Sequence, residues 1–414
     1  MNFPTTAAIS PIAERRRGAL YAWQIDRRGR ADPILAAMHI LTDQPADAVA
    51  APPLSGPRTL ALSFSGDGRE YFRIWVVNLL LSLATLGIYS AWAKVRRLQY
   101  FDRNTMLAGA TFDFHGNPRA VLAGRLLSVV LLGAYHYAFG FSTAFGLAVI
   151  LGLLAAFPYL MRGALRFRLG NTRYRGLWLG FDGSIKQAYL AWLPPALTFV
   201  LPGALLALYP GQPALAALVL PLYLFWPLMH ARLRHFQHAH LLLGDQHSGY
   251  AVKGRRFYKP YFVAGSLGFA VVMTAGIIAG VIGAMLAGPH SGGQIAGLFT
   301  VVMGVYVVYL LAGPYMVVRV SNLAWSNTTF PGVRIRSTLP ARAFMKLQTK
   351  NVLLTLVTLG LYRPFAVVNV YRFRLAHVHI EIDGDIEAFA NHVAKRGGAA
   401  GDGAADGFGI DLSW

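Results

Sequence analysis

The sequence predicts an all-α polytopic membrane protein: six spanning helices plus two re-entrant or interfacial helical hairpins, joined by short repeated cytoplasmic β-hairpin cassettes. Three observations predict it. Of 414 residues, 55% are hydrophobic and only 14% charged, against about 25% charged in soluble domains. Uncharged runs of 36 (126–161), 45 (187–231) and 59 residues (260–318) interrupt the chain, and each is long enough for two spans at about 20 residues per span. A pattern built on Asn-Thr, glycine and phenylalanine recurs between these runs. A soluble globular protein and collagen-like, disulfide-rich or wholly disordered chains are excluded.

Residues 1–57 read as a cytoplasmic tail and linker of mixed charge, partly disordered, with an Ala- and Pro-rich end (Gln44 to Pro57). Met1–Ser10 lacks a basic start followed by an apolar core, so the first true membrane segment is expected to direct insertion itself. The membrane domain is expected over 58–392, and residues 393–414 read as a flexible Gly/Ala-rich tail.

The recurring cassette is NTMLAGATFDFHG from Asn104 and NTRYRGLWLGFDG from Asn171. Fainter copies follow Asn327 and Gly244, and half-copies end at Gly66 and Gly384. The first glycine (Gly109, Gly176) supplies the positive φ of a tight turn. Phe112 with Phe114, and Leu179 with Phe181, fall on one strand face by period two. Asp67, Asn117, Ser184 and Asp385 then stand where a helix N-cap is needed. Two residues further on stand Arg69, Arg119 and Lys186, joined by Lys259 and Arg342 in the fainter copies. These five cations are candidate membrane anchors, with the charge at headgroup level and the stem in the apolar layer.

Six spans are expected at about 122–140, 143–161, 188–209, 213–230, 261–287 and 296–318. The loops Ala138–Thr143, Tyr209–Pro213 and Ala287–Ile295 carry no Lys or Arg, so the basic cassettes are assigned to the cytoplasm. Two shorter segments, NLLLSLATLGIYSAWAKV from Asn78 and NVLLTLVTLGLYRPFAVV from Asn351, resemble each other. They are expected as hairpins over about 74–93 and 351–371 that turn near Thr-Leu-Gly. A full crossing would bury Arg363 near mid-membrane.

The run Tyr71–Phe101 with the following NTMLAGATFDFHGNP resembles the YjgN-like family of bacterial inner-membrane proteins. The resemblance covers roughly 58–392. It implies a multi-pass bacterial inner-membrane (cell-membrane) protein and brings no catalytic or binding residues.

Between residues 71 and 380 there are 28 basic and four acidic residues, Asp102, Asp113, Asp182 and Asp245. That leaves little for hydrolytic or phosphoryl-transfer chemistry. No nucleophile elbow, Walker loop or His-Glu-x-x-His run is present, so a non-enzymatic protein without cofactors is expected. His235, His238 and His240 are weak metal candidates, with His377 and His379 weaker still. His136 and the Pro194-Pro195 break are polar or irregular features within spans. Asn78 and Asn351, matched between the end hairpins, form a candidate polar site of the kind that discontinuous helices build.

Two functions remain open. One is a transporter or channel for a small solute; the other is a scaffold binding anionic phospholipid or an acidic partner through its basic face. The interleaved Arg-Phe-Arg runs at 166–168 and 372–374 read as juxtamembrane, and no nucleic-acid partner is expected. The topology is directly testable because the chain has no native cysteine. Single cysteines at Ser10, Ser291 and Ser413 should react with an impermeant maleimide in intact cells only at Ser291. Labelling at Ser413 before lysis would show that the last hairpin crosses.

Overall fold

The computed structural model describes residues 57–285 and 292–383. The tails, the end of the last half-copy from Gly384 with its Asp385, and positions Ser10, Ser291 and Ser413 lie outside the described residues. Among the described residues the helices come in pairs. These are α1 (Gly68–Ala84) with α2 (Ser90–Arg103), α3 (Pro118–Phe141) with α4 (Thr143–Gly170), and α5 (Ile185–Leu208) with α6 (Trp226–His238). They continue with α7 (Tyr258–Met285) and α8 (Gly292–Trp325), then α9 (Ala341–Val357) and α10 (Arg363–Leu375). A 3-10 segment, Pro213–Phe225, leads into α6, and a 3-10 turn, Gly254–Phe257, precedes α7. Six stretches are long and apolar enough to cross a bilayer: α3, α4, α5, Ala214–His238, Gly254–Met285 and Gly297–Trp325.

The chain is not all-α. Eleven strands join in one sheet: β1 (Pro57–Phe64), β2 (Thr105–Leu107), β3 (Ala110–Phe114), β4 (Thr172–Tyr174), β5 (Leu177–Phe181), β6 (Leu241–Leu243), β7 (Gln246–His247), β8 (Gly249–Tyr250), β9 (Thr328–Phe330), β10 (Val333–Ser337) and β11 (Val378–Asp383). Their order follows the chain, from β7 back to β1, on to β11 and back to β8. Every ladder is antiparallel. Among the described residues the ladders break between β7 and β8, where the chain itself continues through Ser248. Its hydroxyl accepts from the Leu241 amide at 2.9 Å and donates to the His238 carbonyl at 2.8 Å.

Residues 57–61 of β1 pair with 379–383 of β11, while Leu62–Phe64 pair with β2. A position followed across the ladders returns to β1 displaced by about ten residues, the kind of stagger that a closed barrel requires. The pleat puts Leu107, Tyr174, Leu177, Val333 and Ile382 on one buried face. Asp113, Arg173, His247, Arg336 and Glu381 fall on the other.

The helices close a ring too. Each odd-numbered helix sits between two even-numbered ones, and α10 packs on α1. The C-terminal halves of the even helices meet in turn. Asp102 of α2 bonds Arg168 of α4, and Met161 and Leu165 of α4 pack on Phe236 of α6. Ala231 of α6 packs with Val320 of α8, and Val318 of α8 clusters with Val370 and Phe373 of α10. Tyr371 of α10 lies 4.6 Å from the ring centre of Phe101 of α2, which completes the circle. Thus an inner ring of five helices stands inside five outer ones.

The strand-to-helix connections follow from residue chemistry. Ala108 (φ 46°) and Gly109 (φ 77°), and likewise Arg175 (φ 48°) and Gly176 (φ 78°), make two-residue hairpin turns with both residues at positive φ. At the next glycine the backbone must clear a phenylalanine ring. A Cβ on Gly116 would collide with the Phe114 ring, and one on Gly183 would sit 2.7 Å from both Phe181 and Phe236. Asp67, Asn117 and Ser184 cap the helices that follow by accepting from backbone amides.

The fourth hairpin differs from its sequence alignment. Gly244 (φ 61°) is the turn residue between β6 and β7 rather than the start of a copy, and Gly249 and Val252 lie beyond that hairpin. The loop that follows is longer, which displaced the sequence register.

The end hairpins are longer than expected, spanning 68–103 and 341–375, and both turn at Thr-Leu-Gly. Leu86 and Gly87 (φ 49° and 91°) match Leu359 and Gly360 (φ 49° and 95°). The hydroxyls of Thr85 and Thr358 each accept from the amide four residues on, at 2.9 Å. This turn forces Leu86 and Leu359 outward, 95% and 94% exposed.

Val at Gly176 should cost about 1–3 kcal/mol through left-handed backbone strain in a β-branched residue. Ala at Gly116, at ordinary φ, should destabilise through the Phe114 clash instead. Thermal unfolding of purified protein checks both, and unchanged midpoints would discount these turn and contact roles.

Candidate functional site

The foot of the inner helix ring, where α2, α4, α6, α8 and α10 hand over to strands, gathers the polar side chains. Each inner helix ends in a cap made by one residue. The amides of Asn104, Asn171 and Asn327 donate to the carbonyl four residues back at 2.8 Å in each case. His240 and His377 reach the corresponding carbonyls with Nδ1 at 3.0 and 2.8 Å. The following threonines, Thr105, Thr172 and Thr328, bond the next carbonyl in the same way. This double cap satisfies carbonyls that a helix end leaves free, and it is the physical content of Asn-Thr.

Each of these threonines also meets a larger side chain. Thr105 Oγ1 lies 2.9 Å from the Tyr371 hydroxyl. Thr172 Oγ1 accepts from Arg168 at 3.0 Å, and Thr328 Oγ1 lies 3.0 Å from Nδ1 of His238. Arg168 also grips both carboxylate oxygens of buried Asp102 at 2.8 Å. Arg234 donates to His230 Nε2 and to the buried Gln237 Oε1 at 3.1 Å each.

These groups act on one another across the ring. The charges of Asp102 (α2), Arg168 (α4) and Arg374 (α10) all influence the Tyr371 hydroxyl, which burial holds above its ordinary value. Arg374 feels Tyr371, and burial lowers its guanidinium below the usual range. Arg234 of α6 lies within reach of Arg374 and of Tyr250, whose hydroxyl burial pushes up to about 12. In the inner ring α8 separates α6 from α10, and α2 separates α10 from α4. Of the other acids between residues 71 and 380, Asp113 bonds Arg103 at 2.7 Å, Asp182 bonds His247 at 2.8 Å, and Asp245 is exposed.

The candidates read from the sequence lie elsewhere. Arg69, Arg119, Lys186, Lys259 and Arg342 are each the second residue of an odd-numbered helix. Asn78 on α1 and Asn351 on α9 are buried. The Asn351 amide reaches the Ala366 carbonyl at 3.4 Å, tying its own hairpin, and neither Asn Oδ1 has a hydrogen-bond partner.

His235, His238 and His240 do not converge as metal ligands. His238 faces Thr328, His240 caps its helix, and His235 sits over Tyr250. No group of three metal-ligating side chains forms among the described residues. His377 is a cap, and His379 lies on β11. His136 is exposed on α3 beside Tyr137, and α5 continues through Pro194 and Pro195.

Sequence reasoning missed Arg234, Arg374, Tyr371 and Asp102 as one group, and placed Arg168 among juxtamembrane cations. The available signal was their spacing from the capping residue, since Arg168 and Arg374 both stand three residues before it.

A family described as a bacterial protein of unknown function (DUF898) matches residues 59–407. The chain is similar to the inner membrane protein YjgN of Salmonella typhimurium (strain LT2), 34% identical over 151 residues, 35% of this chain and 36% of that protein. It is also similar to YjgN of Escherichia coli O157:H7, 29% identical over 145 residues, 34% of each. The aligned stretch thus spans about a third of these relatives. No solved structure matches.

Replacing Asp102 by Ala should cost about 1–3 kcal/mol, because Arg168 keeps its charge and loses its carboxylate. The cost stays below that of a fully buried pair because the Arg168 side chain is 37% exposed. Arg103→Gln, which breaks the outer pair with Asp113, should change stability by less than about 1 kcal/mol. Equal unfolding midpoints for the two variants would remove the special standing of the inner pair.

Proposed function

The chain belongs to this family of bacterial proteins of unknown function (DUF898) and is a multi-pass inner-membrane protein, and we propose that it acts as a non-enzymatic membrane scaffold that gathers anionic phospholipid around its ring. One observation carries the reading. Five cations, Arg69, Arg119, Lys186, Lys259 and Arg342, occupy the second position of all five outer helices. A helix N-terminus carries partial positive charge, so a cation there is disfavoured by about 0.3–1 kcal/mol. Five repetitions of a locally unfavourable choice call for a compensating anion, and headgroup phosphates at the bilayer surface supply it at about 1 kcal/mol per cation. The positive-inside rule then sets these helix starts, and both chain ends, on the cytoplasmic side. The end hairpins fit as re-entrant elements. Their helices are 17 and 14, and 17 and 13, residues long, and their tips present Leu86 and Leu359 to the acyl region.

The transport reading has one observation in its favour, the polar foot of the inner ring. Of its candidate residues, Asn351 fits better as a tie within its own hairpin.

Native mass spectrometry of gently purified protein tests the scaffold. Wild type should retain several phosphatidylglycerol or cardiolipin molecules, fewer as ionic strength rises. Changing the five cations to Gln should remove most of them, with single changes giving graded losses. Equal retention by a folded five-fold variant, or by every single variant, would overturn the reading.

A further inference from the structure

We infer that the face of α5 beginning at Lys186 is a site for one anionic phospholipid of the cytoplasmic leaflet, with the phosphate at Lys186 and one acyl chain laid along the helix. This deepens the scaffold reading and rests on it for the headgroup end. The apolar end stands on separate observations.

The sequence supplies the face. Lys186, Tyr189, Leu190, Leu193, Pro194 and Leu197 recur at alternating steps of three and one, so they share one side of a helix. Together they border a cleft of about 460 Å³, within the range of ligand clefts, roughly 300–1,000 Å³. Lys186 stands at one end, and the Tyr189 hydroxyl is the one other polar side-chain group along it. That hydroxyl donates to the Ala155 carbonyl of α4, which pins the Tyr189 ring as a wall of the cleft.

Length selects the occupant. From Lys186 to Leu197 the helix rises roughly 16 Å at about 1.5 Å per residue, about half of a hydrocarbon core of roughly 30 Å. That is the depth of one leaflet, and so of one acyl chain hanging from a headgroup at the lysine. Charge selects the head. Lys186 is exposed and makes no ion pair among the described residues. Asp182, the nearest acid along the chain, bonds His247 instead. A lysine offers a point charge on a flexible stem, which suits a phosphate at a mobile bilayer surface.

The ordinary explanation for an apolar helix face in a membrane is that fluid lipid wets it. It accounts for Val129 and Leu132 on α3 and Leu298 on α8, which are 66%, 66% and 67% exposed. It does not account for a recess. Leu193, Pro194 and Leu197 are partly buried, while Leu190 at the rim is 57% exposed. A chain that settles there meets both a floor and the Tyr189 wall, and gains dispersion contacts that a flat face does not offer.

The full chain, purified in neutral detergent and supplied with phosphatidylglycerol, is followed by native mass spectrometry as ionic strength rises. In wild type one lipid should outlast the others, because salt screens headgroup attraction and leaves apolar contact in place. Leu190→Trp, which extends an exposed side chain across the cleft, should weaken that lipid about tenfold and leave the salt-labile ones unchanged. Lys186→Gln should weaken it about fivefold at low ionic strength, and Lys186→Arg should keep it. Leu206→Trp, on the same helix outside the cleft, should change nothing. If no lipid outlasts the rest in wild type, or if folded Leu190→Trp protein holds it as wild type does, the site is overturned. The scaffold then still stands on lipids lost when the other four cations are changed to Gln. If that four-fold variant keeps every lipid while Leu190→Trp and Lys186→Gln each lose one, the scaffold falls and the site stands. Should Leu190→Trp fail to fold, Lys186→Gln decides: a folded Lys186→Gln protein that binds this lipid as wild type does overturns the site as well.

Discussion

The pairing of β1 with β11 is the constraint on which the rest of the structure depends. Strands of three residues such as β2, β4 and β9 are too short to persist as isolated hairpins. Joined edge to edge, they satisfy one another's backbone groups, and the nearly closed sheet leaves only β7 and β8 as edges among the described strands. The ladder from Pro57–Asp383 to Ala61–His379 completes the circuit. It also brings together residues more than 300 positions apart, so that the first and last helical hairpins become neighbours through α10 and α1. The Arg372 guanidinium reinforces the join by donating to the Gly66 carbonyl at 2.7 Å.

Closure sorts the cations into two populations with opposite electrostatics. Those at the starts of the outer helices sit against the helix dipole and look toward the headgroup layer. Those near the ends of the inner helices sit with the dipole and meet protein partners, Arg168 at Asp102 and Arg234 at His230 and Gln237. The first set follows the ordinary logic of membrane topology. The second owes its ion pair between Asp102 and Arg168 to the approach of neighbouring inner helices.

Much of the architecture was legible because it is local. Hydrophobic length gave the spans, the Thr-Leu-Gly pair gave the hairpin turns, and the caps at Asp67, Asn117 and Ser184 followed from side-chain chemistry. The long-range features were not legible. That the hairpins would fuse into one sheet depends on ladders such as Phe112–Tyr174 and Leu179–Leu243, whose partners are more than 60 residues apart. The fourth hairpin was misaligned because His240 does the work of Asn, with Nδ1 at the Phe236 carbonyl, and a sequence pattern keyed to Asn-Thr cannot see that equivalence. Arg168 and Arg374 read as ordinary juxtamembrane charges because nothing in their neighbouring residues shows that the inner helices form a ring.

The unequal heights of the helix pairs explain why the polar cluster lies at the foot. Inner helix α4 has 28 residues, whereas α2 has 14 and α10 has 13. At about 1.5 Å per residue the short ones rise only roughly 20 Å, so all five inner helices stand together only near the sheet. Higher up, the ring lacks two adjacent inner walls, and the exposed apolar tips at Leu86 and Leu359 mark where they stop. Buried charge needs protein on every side, because a lipid chain offers no hydrogen bonds. An arginine cluster placed above the hairpin tips would face hydrocarbon through the gap. At the foot, neighbouring helix ends supply partners, and there Asp102 holds Arg168 while His230 and Gln237 hold Arg234.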